Sequence, residues 1–284
     1  MVSFTELIPF AAAGLAAGLA SYRGFQLMPD SWLLDYDQTE APAGFAGRRA
    51  FPLIPQGLLL IIITGLLYTR VPVVATGWHR AAVMLAVPLL LLILTADWKT
   101  RIIPDQLTLA LLVPGILKII GDIANGEVWT AAVGWPLLAG IVAGGSLLLI
   151  GFVGQLLLRR DAMGMGDVKL IAVAAFVVGW SRLPHLLLIS FLTAAVIAIP
   201  LLIRNRLAER KSGDDTEAAE KVEMSEAAEI SEDAEISETA DADSVDDPDA
   251  IAFGPFIAIA VLILMLFPEQ IDQLVQAYIR LLLR

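Results

Sequence analysis

What most constrains this chain is a succession of apolar runs, each close to the ~20 residues that a helix needs to cross a bilayer. The runs fall near 4–21, 53–69, 81–97, 103–121, 130–157, 168–180, 184–203 and 251–267. Their number and length predict an all-α polytopic membrane protein with about eight transmembrane helices. Composition bears on this only as a check: 57% of the 284 residues are hydrophobic and 17% are charged, far from a soluble average. The fifth run is long and rich in small residues (Gly140, Gly144, Gly145, Gly151, Gly154), which permits close helix packing. Met1 to Glu6 lacks the basic region of a cleavable signal peptide, so the first run reads as a retained span.

The formal net charge of −11 is concentrated in one place, because residues 209–249 hold 17 Asp/Glu against three Lys/Arg and the remainder is slightly basic. The apolar body therefore offers no general field for nucleic acid, and its partner is membrane lipid with a few placed charges. Within the acidic stretch, acids recur every third position from Glu217 to Asp241. That period drifts around a helix and cannot build an apolar face, so a disordered loop is expected. Three regions follow: a membrane domain over 1–206 with the first seven spans, an acidic insert over 207–250, and a last span with its tail over 251–284. In the tail Ile271, Leu274, Val275, Tyr278 and Leu282 recur at helical spacing, the pattern of an amphipathic helix lying in the interface.

Placing the N-terminus outside puts Arg23, Arg48, Arg49, Lys99, Arg101, Arg159, Arg160, Arg204 and Arg206 on the cytoplasmic side, as the positive-inside rule favours. The chain has no Cys, which removes disulfides, cysteine zinc sites and a thiol nucleophile. No HExxH and no GxSG-type serine is present, and His79 and His185 read as interfacial residues.

Carboxylates at the edge of hydrocarbon cost several kcal/mol unless paired or used, and few occur here. Asp97 ends the third apolar run, and Asp167 directly precedes the sixth in MGMGDVKL. Gly164 and Gly166 let that segment turn sharply and approach a neighbour closely. Asp167 then stands at the N-cap or first turn of a helix, where the dipole favours an anion. Asp97 stands at a helix end where the dipole opposes one, with Lys99 and Arg101 close in sequence. Two carboxylates at one membrane face in opposite helix-end settings suit the paired roles of an aspartic protease: Asp167 as the ionised base on a water, Asp97 as the protonated acid at the carbonyl. Asp105 after Pro104 reads as a helix cap, and Asp161 beside Arg159 and Arg160 as a solvated loop charge.

These residues resemble the bacterial type IV prepilin leader peptidases, membrane aspartic proteases of the GxGD type. Asp97 followed by Ile103-Pro104-Asp105 looks like that family's Asp, six-residue gap and Pro-Asp. Gly164-Met-Gly-Asp-Val-Lys-Leu170 is close to its GxGDxKL, and Phe253-Gly-Pro-Phe-Ile-Ala258 is similar to the segment opening its last span. The resemblance implies Asp97 and Asp167 as the catalytic pair, with Gly164, Gly166, Lys169, Pro104 and Asp105 in support. It implies removal of a short basic leader from prepilin or pseudopilin substrates, at the cytoplasmic face of the bacterial plasma membrane. It also implies optional N-methylation of the new terminus with S-adenosylmethionine, while proteolysis needs no cofactor. Two features depart from the family: the loop over 23–52 lacks the usual four cysteines, so no metal is expected, and the acidic insert replaces a short link. Asp30, Asp35, Asp37 and Glu40 in that first loop are candidates to hold a basic leader. The rival reading is a small transporter or channel whose interfacial carboxylates bind a cation or proton.

Overall fold

The computed structural model describes residues 4–34, 44–158, 164–200, 204 and 253–282. No strand occurs among them. The helices are α1 (Phe4–Leu27), α2 (Phe45–Arg49), α3 (Leu58–Tyr68), α4 (Val71–Val74), α5 (Gly77–Thr100), α6 (Asp105–Ala110), α7 (Leu112–Ala124), α8 (Trp129–Leu158), α9 (Met165–Val178), α10 (183–200), α11 (Gly254–Leu266) and α12 (Pro268–Leu282). Among the described residues each of the eight apolar runs is mostly helical, as a bilayer demands of a segment whose backbone must bond within itself. Among the described residues five helical segments are long and apolar enough to cross a membrane: Leu53–Val74, Gly77–Thr100, Asp105–Ala124, Trp129–Leu157 and Trp180–Pro200. The bent pair Gly254–Leu266 and Pro268–Ala277 makes a sixth if taken as one span. The count of eight spans is thus five or six by this measure. The 14 residues of α9 reach only ~21 Å at 1.5 Å per residue. The chain is an all-α, multi-pass membrane protein.

Two compact units are distinguished, one made of Met1–Phe191 with Ala252–Arg284 and the other of Leu192–Ile251. Of the second, helical residues 192–200 and Arg204 are described. The acidic insert lies outside the described residues.

In the first unit α5 is the central element, packed against α1, α3, α7 and α11. Pro88 interrupts it and leaves the Met84 carbonyl without its intrahelical donor. The Tyr68 hydroxyl donates to that carbonyl, and the Ser21 hydroxyl donates to the Pro88 carbonyl at 3.3 Å. Both side chains are buried; Tyr68 from α3 satisfies the carbonyl that the proline orphans, and Ser21 ties α1 to the same turn. α11 is apolar all round, with ten of its 13 residues buried, the mark of a helix enclosed by others. α8 lies against α9 through small residues: a Cβ added at Gly140 would stand 2.9 Å from the Ala172 carbonyl oxygen, and one at Gly144 would stand 3.0 Å from Ala172 Cβ. Gly145, grouped with them by sequence, faces open space.

α12 turns away from α11 by 94° and is amphipathic, with Leu274 and Leu281 exposed. Arg182 holds Asp272 at 3.3 Å, and the Arg70 guanidinium lies 4.8 Å from the Phe267 ring centre. These basic groups gather at the C-terminal end of α11, away from Asp97.

Candidate active site

Asp97 occupies the last turn of α5. The helix stops because Arg101 adopts a left-handed conformation (φ 57°) and its N–H returns to the Asp97 carbonyl at 2.8 Å, and because Ile103 precedes a proline, which disfavours helical geometry. Pro104 caps α6, its carbonyl accepting the Leu107 and Thr108 N–H groups at 3.1 Å. The chain thus reverses within four residues and lays Ile103 back over the end of α5. The Asp97 side chain is only 3% exposed, and its Oδ2 has no hydrogen-bond partner. Lys99, a candidate partner by sequence, lies instead over the Phe51 ring at 5.7 Å.

Asp167 stands in the first turn of α9. Gly164, in extended conformation, is the N-cap residue, and its carbonyl accepts the Asp167 N–H at 3.2 Å. Of the two placements open in the sequence, first turn is therefore the one adopted, with the carboxyl left available for something other than capping. The Asp167 charge acts directly on Asp97, and the backbone amide of Gly254, at the start of α11, faces both carboxylates. A Cβ built on Gly254 would lie 2.4 Å from Asp97 Oδ2 and 2.7 Å from Ile103 Cδ1; one built on Gly166 would lie 3.4 Å from Ile103 Cβ. Ile103 is the wedge on which the three separate motifs converge.

Beside them Lys169 Nζ bonds both oxygens of Asp105, at 3.0 and 2.8 Å. The pair ties the start of α6 to α9 and is well over a third exposed on both sides (38% and 43%). Asp105 therefore does more than begin a helix. Asp97, Pro104, Asp105, Gly164, Gly166, Asp167 and Lys169 all lie at one end of the bundle. In the first loop Asp30 forms an ion pair with Arg49, whose guanidinium also donates to the Gln26 carbonyl at 3.1 Å and to that of Met28. Asp35, Asp37, Glu40 and Asp161 lie outside the described residues.

Two residues of the site escaped the sequence reading. Gly254 belonged to a recognised motif but carried no role, and Ile103 was only the residue before Pro-Asp. Apolar and small side chains carry no chemical signal of their own, and their neighbours here are distant in sequence. Chemically, two carboxylates close enough in a poorly hydrated recess for one charge to act on the other cannot both be ionised cheaply. One proton shared between them yields one base and one acid at the same place.

Residues 84–199 match the type IV leader peptidase family, and both carboxylates fall inside that segment. The chain is 34% identical over 158 residues to the prepilin leader peptidase/N-methyltransferase of Aeromonas hydrophila, covering 54% of this chain and 52% of the relative. It is 40% identical over 98 residues to the protein of that name from Dickeya chrysanthemi, covering 34% and 32%. To that of Klebsiella pneumoniae it is 31% identical over 140 residues, covering 49% and 59%. The chain spans about half the length of the curated relatives it matches. No solved structure matches it.

Proposed function

From a chain whose residues 84–199 form a domain of the type IV leader peptidase family, we propose a membrane aspartic endopeptidase that removes the short basic leader of prepilin-like substrates. The observation that carries this reading is the meeting of Asp97 and Asp167, from different helices, with one buried Asp97 oxygen lacking any partner. A structural carboxylate at such depth would be paired, since burial without a partner costs several kcal/mol.

Asp167, at the amino end of α9, acts as base; Asp97, at the carboxyl end of α5, acts as acid. Asp167 takes a proton from a water whose oxygen adds to the scissile carbonyl carbon. Asp97 donates its proton to the carbonyl oxygen as the tetrahedral intermediate forms. Collapse of the intermediate breaks the C–N bond: the proton held by Asp167 goes to the leaving amine, and one hydroxyl proton of the intermediate returns to Asp97, leaving a carboxylic acid. Gly164 leaves the space beside Asp167 Oδ2 open and Gly166 lets α9 pack on Ile103, while Lys169 and Asp105 fix α9 against α6.

The pair works at the cytoplasmic face of the bacterial plasma membrane, the side to which the distribution of Lys and Arg assigns it. There a basic leader remains in water while the apolar helix that follows it lies in lipid. The relatives' names also carry N-methyltransferase, an activity using S-adenosylmethionine that is separate from the proteolytic step. Co-expression with a prepilin, followed by mass analysis of the product, tests both. The wild-type chain shortens the substrate at its leader, and an added methyl mass on the new terminus reports the second activity. A prepilin left at full length by the wild-type chain refutes the protease reading.

A further inference from the structure

The first turn of α11 is unusual in its uncommitted donors. A helix leaves its first N–H groups without partners in the preceding turn. Here Pro255 has none to offer, and the Phe256 and Ile257 N–H groups both return to the Phe253 carbonyl, at 3.0 and 3.4 Å. The N-cap residue, Phe253, supplies no side-chain cap. Among the described residues the Gly254 N–H has no backbone acceptor, and it faces the two carboxylates. Opposite it stands Asp97 Oδ2, buried and without a hydrogen-bond partner. The 13-residue α11 directs its positive end at that oxygen.

Resting on the protease reading, we propose that the amino end of α11 is the third component of the site: the Gly254 amide partners the negative charge that Asp97 and Asp167 share, and the missing side chain at 254 is what lets the Asp97 carboxylate reach it. Gly254 is thus a positioning residue acting through Asp97. A competing explanation is purely steric, since a Cβ at 254 would also collide with Ile103 Cδ1 at 2.7 Å. Shortening Ile103 separates the two, because it relieves that collision and leaves the one with Asp97 Oδ2 in place.

The test compares wild type, Gly254→Ala, Ile103→Ala and the double variant on a prepilin in membranes. Gly254→Ala lowers kcat by about 100-fold, the scale on which one electrostatic donor acts, with KM within about 3-fold of wild type. The double variant stays as low as Gly254→Ala, whereas a purely steric origin would raise it to the level of Ile103→Ala, which is measured as its reference. Coupling of Asp97 to a membrane-permeant carbodiimide, read by mass, gives a measure independent of cleavage. Because this reagent attacks the protonated acid, coupling is several-fold faster in both variants that include Gly254→Ala. Near-wild-type cleavage by Gly254→Ala, recovery in the double variant, or unchanged coupling overturns the proposal. Where Gly254→Ala does not accumulate, the double variant decides by the same two readouts. Failure of the wild type to cleave overturns the protease reading instead.

Discussion

The two ends of α5 hold carboxylates in opposite circumstances. Near its start, His79 Nε2 meets Asp122 Oδ1 at 2.7 Å, and Lys118 Nζ, one turn earlier on α7, meets Oδ2 at 2.9 Å. Each oxygen of Asp122 has a partner, and Gly121 presses so closely on His79 that a Cβ there would stand 2.8 Å from the ring. Near its other end, ~27 Å along the axis at 1.5 Å per residue, Asp97 is more deeply buried and one of its oxygens has no partner. The same residue type is saturated at one end and starved at the other. A saturated buried charge repays its desolvation and holds helices together. A starved one is a cost, kept because something else must come to it.

The sharpest way to break this contrast is to remove each charge in place. Asp97→Asn and Asp167→Asn each abolish prepilin cleavage, a loss of at least about 1,000-fold, because members of an acid–base pair act as a unit. Membrane insertion is retained, and the Asp97→Asn thermal midpoint does not fall, since a neutral amide removes the desolvation cost of a buried carboxylate. The wild-type pH–rate profile is a bell whose two limbs belong to the pair rather than to either residue. A flat profile from about pH 4 to 9, or cleavage near the wild-type rate by either variant, sinks the assignment.

The Asp105–Lys169 pair lies between the extremes: it sits beside the starved carboxylates but is itself saturated and half open to water. An exposed pair is worth ~1 kcal/mol or less, so Asp105→Asn and Lys169→Met each slow cleavage by only about 2- to 5-fold through looser placement of α9. A loss as large as that from Asp167→Asn would move Lys169 into the chemistry itself.

At the far end the expected result is the reverse. Asp122→Asn weakens the bonds to His79 and Lys118, costs about 1 kcal/mol and lowers the thermal midpoint by a few degrees. Prepilin cleavage at permissive temperature is unchanged. If cleavage falls while stability holds, the two ends of α5 are coupled and the contrast is wrong.

The places where the sequence was legible follow the same division. Hydropathy locates the helices because each apolar run has to bury or face lipid along its whole length. The GxGD segment is readable because a glycine pair before an acid and an apolar run has few structural uses. The His79–Asp122–Lys118 cluster was not legible: the apolar run around α7 ends at 121, one residue short of Asp122, and His79 next to Trp78 and Arg80 reads as an interface residue. Its meaning lies in a contact between helices 43 positions apart. Gly254 was visible as part of a motif, yet its use depends on an Asp97 oxygen more than 150 positions away, which no local pattern encodes. Length and composition do not by themselves mark α9 as a span, because a helix set deep among its neighbours does not need the length of a lipid-facing one.

The smallest effect is expected from the acidic insert, which sharpens the contrast by lying outside it. Deletion of 212–248 removes most of its acids and leaves every residue of α5, α9 and α11 in the chain. On the cytoplasmic placement that the Lys and Arg distribution favours, so acidic a stretch is repelled by anionic lipid and attracts a basic leader within a Debye length, ~8 Å at physiological salt. Long surface loops cost little in closure entropy, each doubling of length adding ~0.6 kcal/mol, so the deletion leaves folding and turnover at saturating prepilin unchanged. At limiting prepilin and low salt, processing slows by about 2-fold and its salt dependence weakens, as loss of electrostatic steering requires. Rates identical to the parent at low salt reduce the insert to a tolerated loop and leave leader capture to groups nearer the carboxylates.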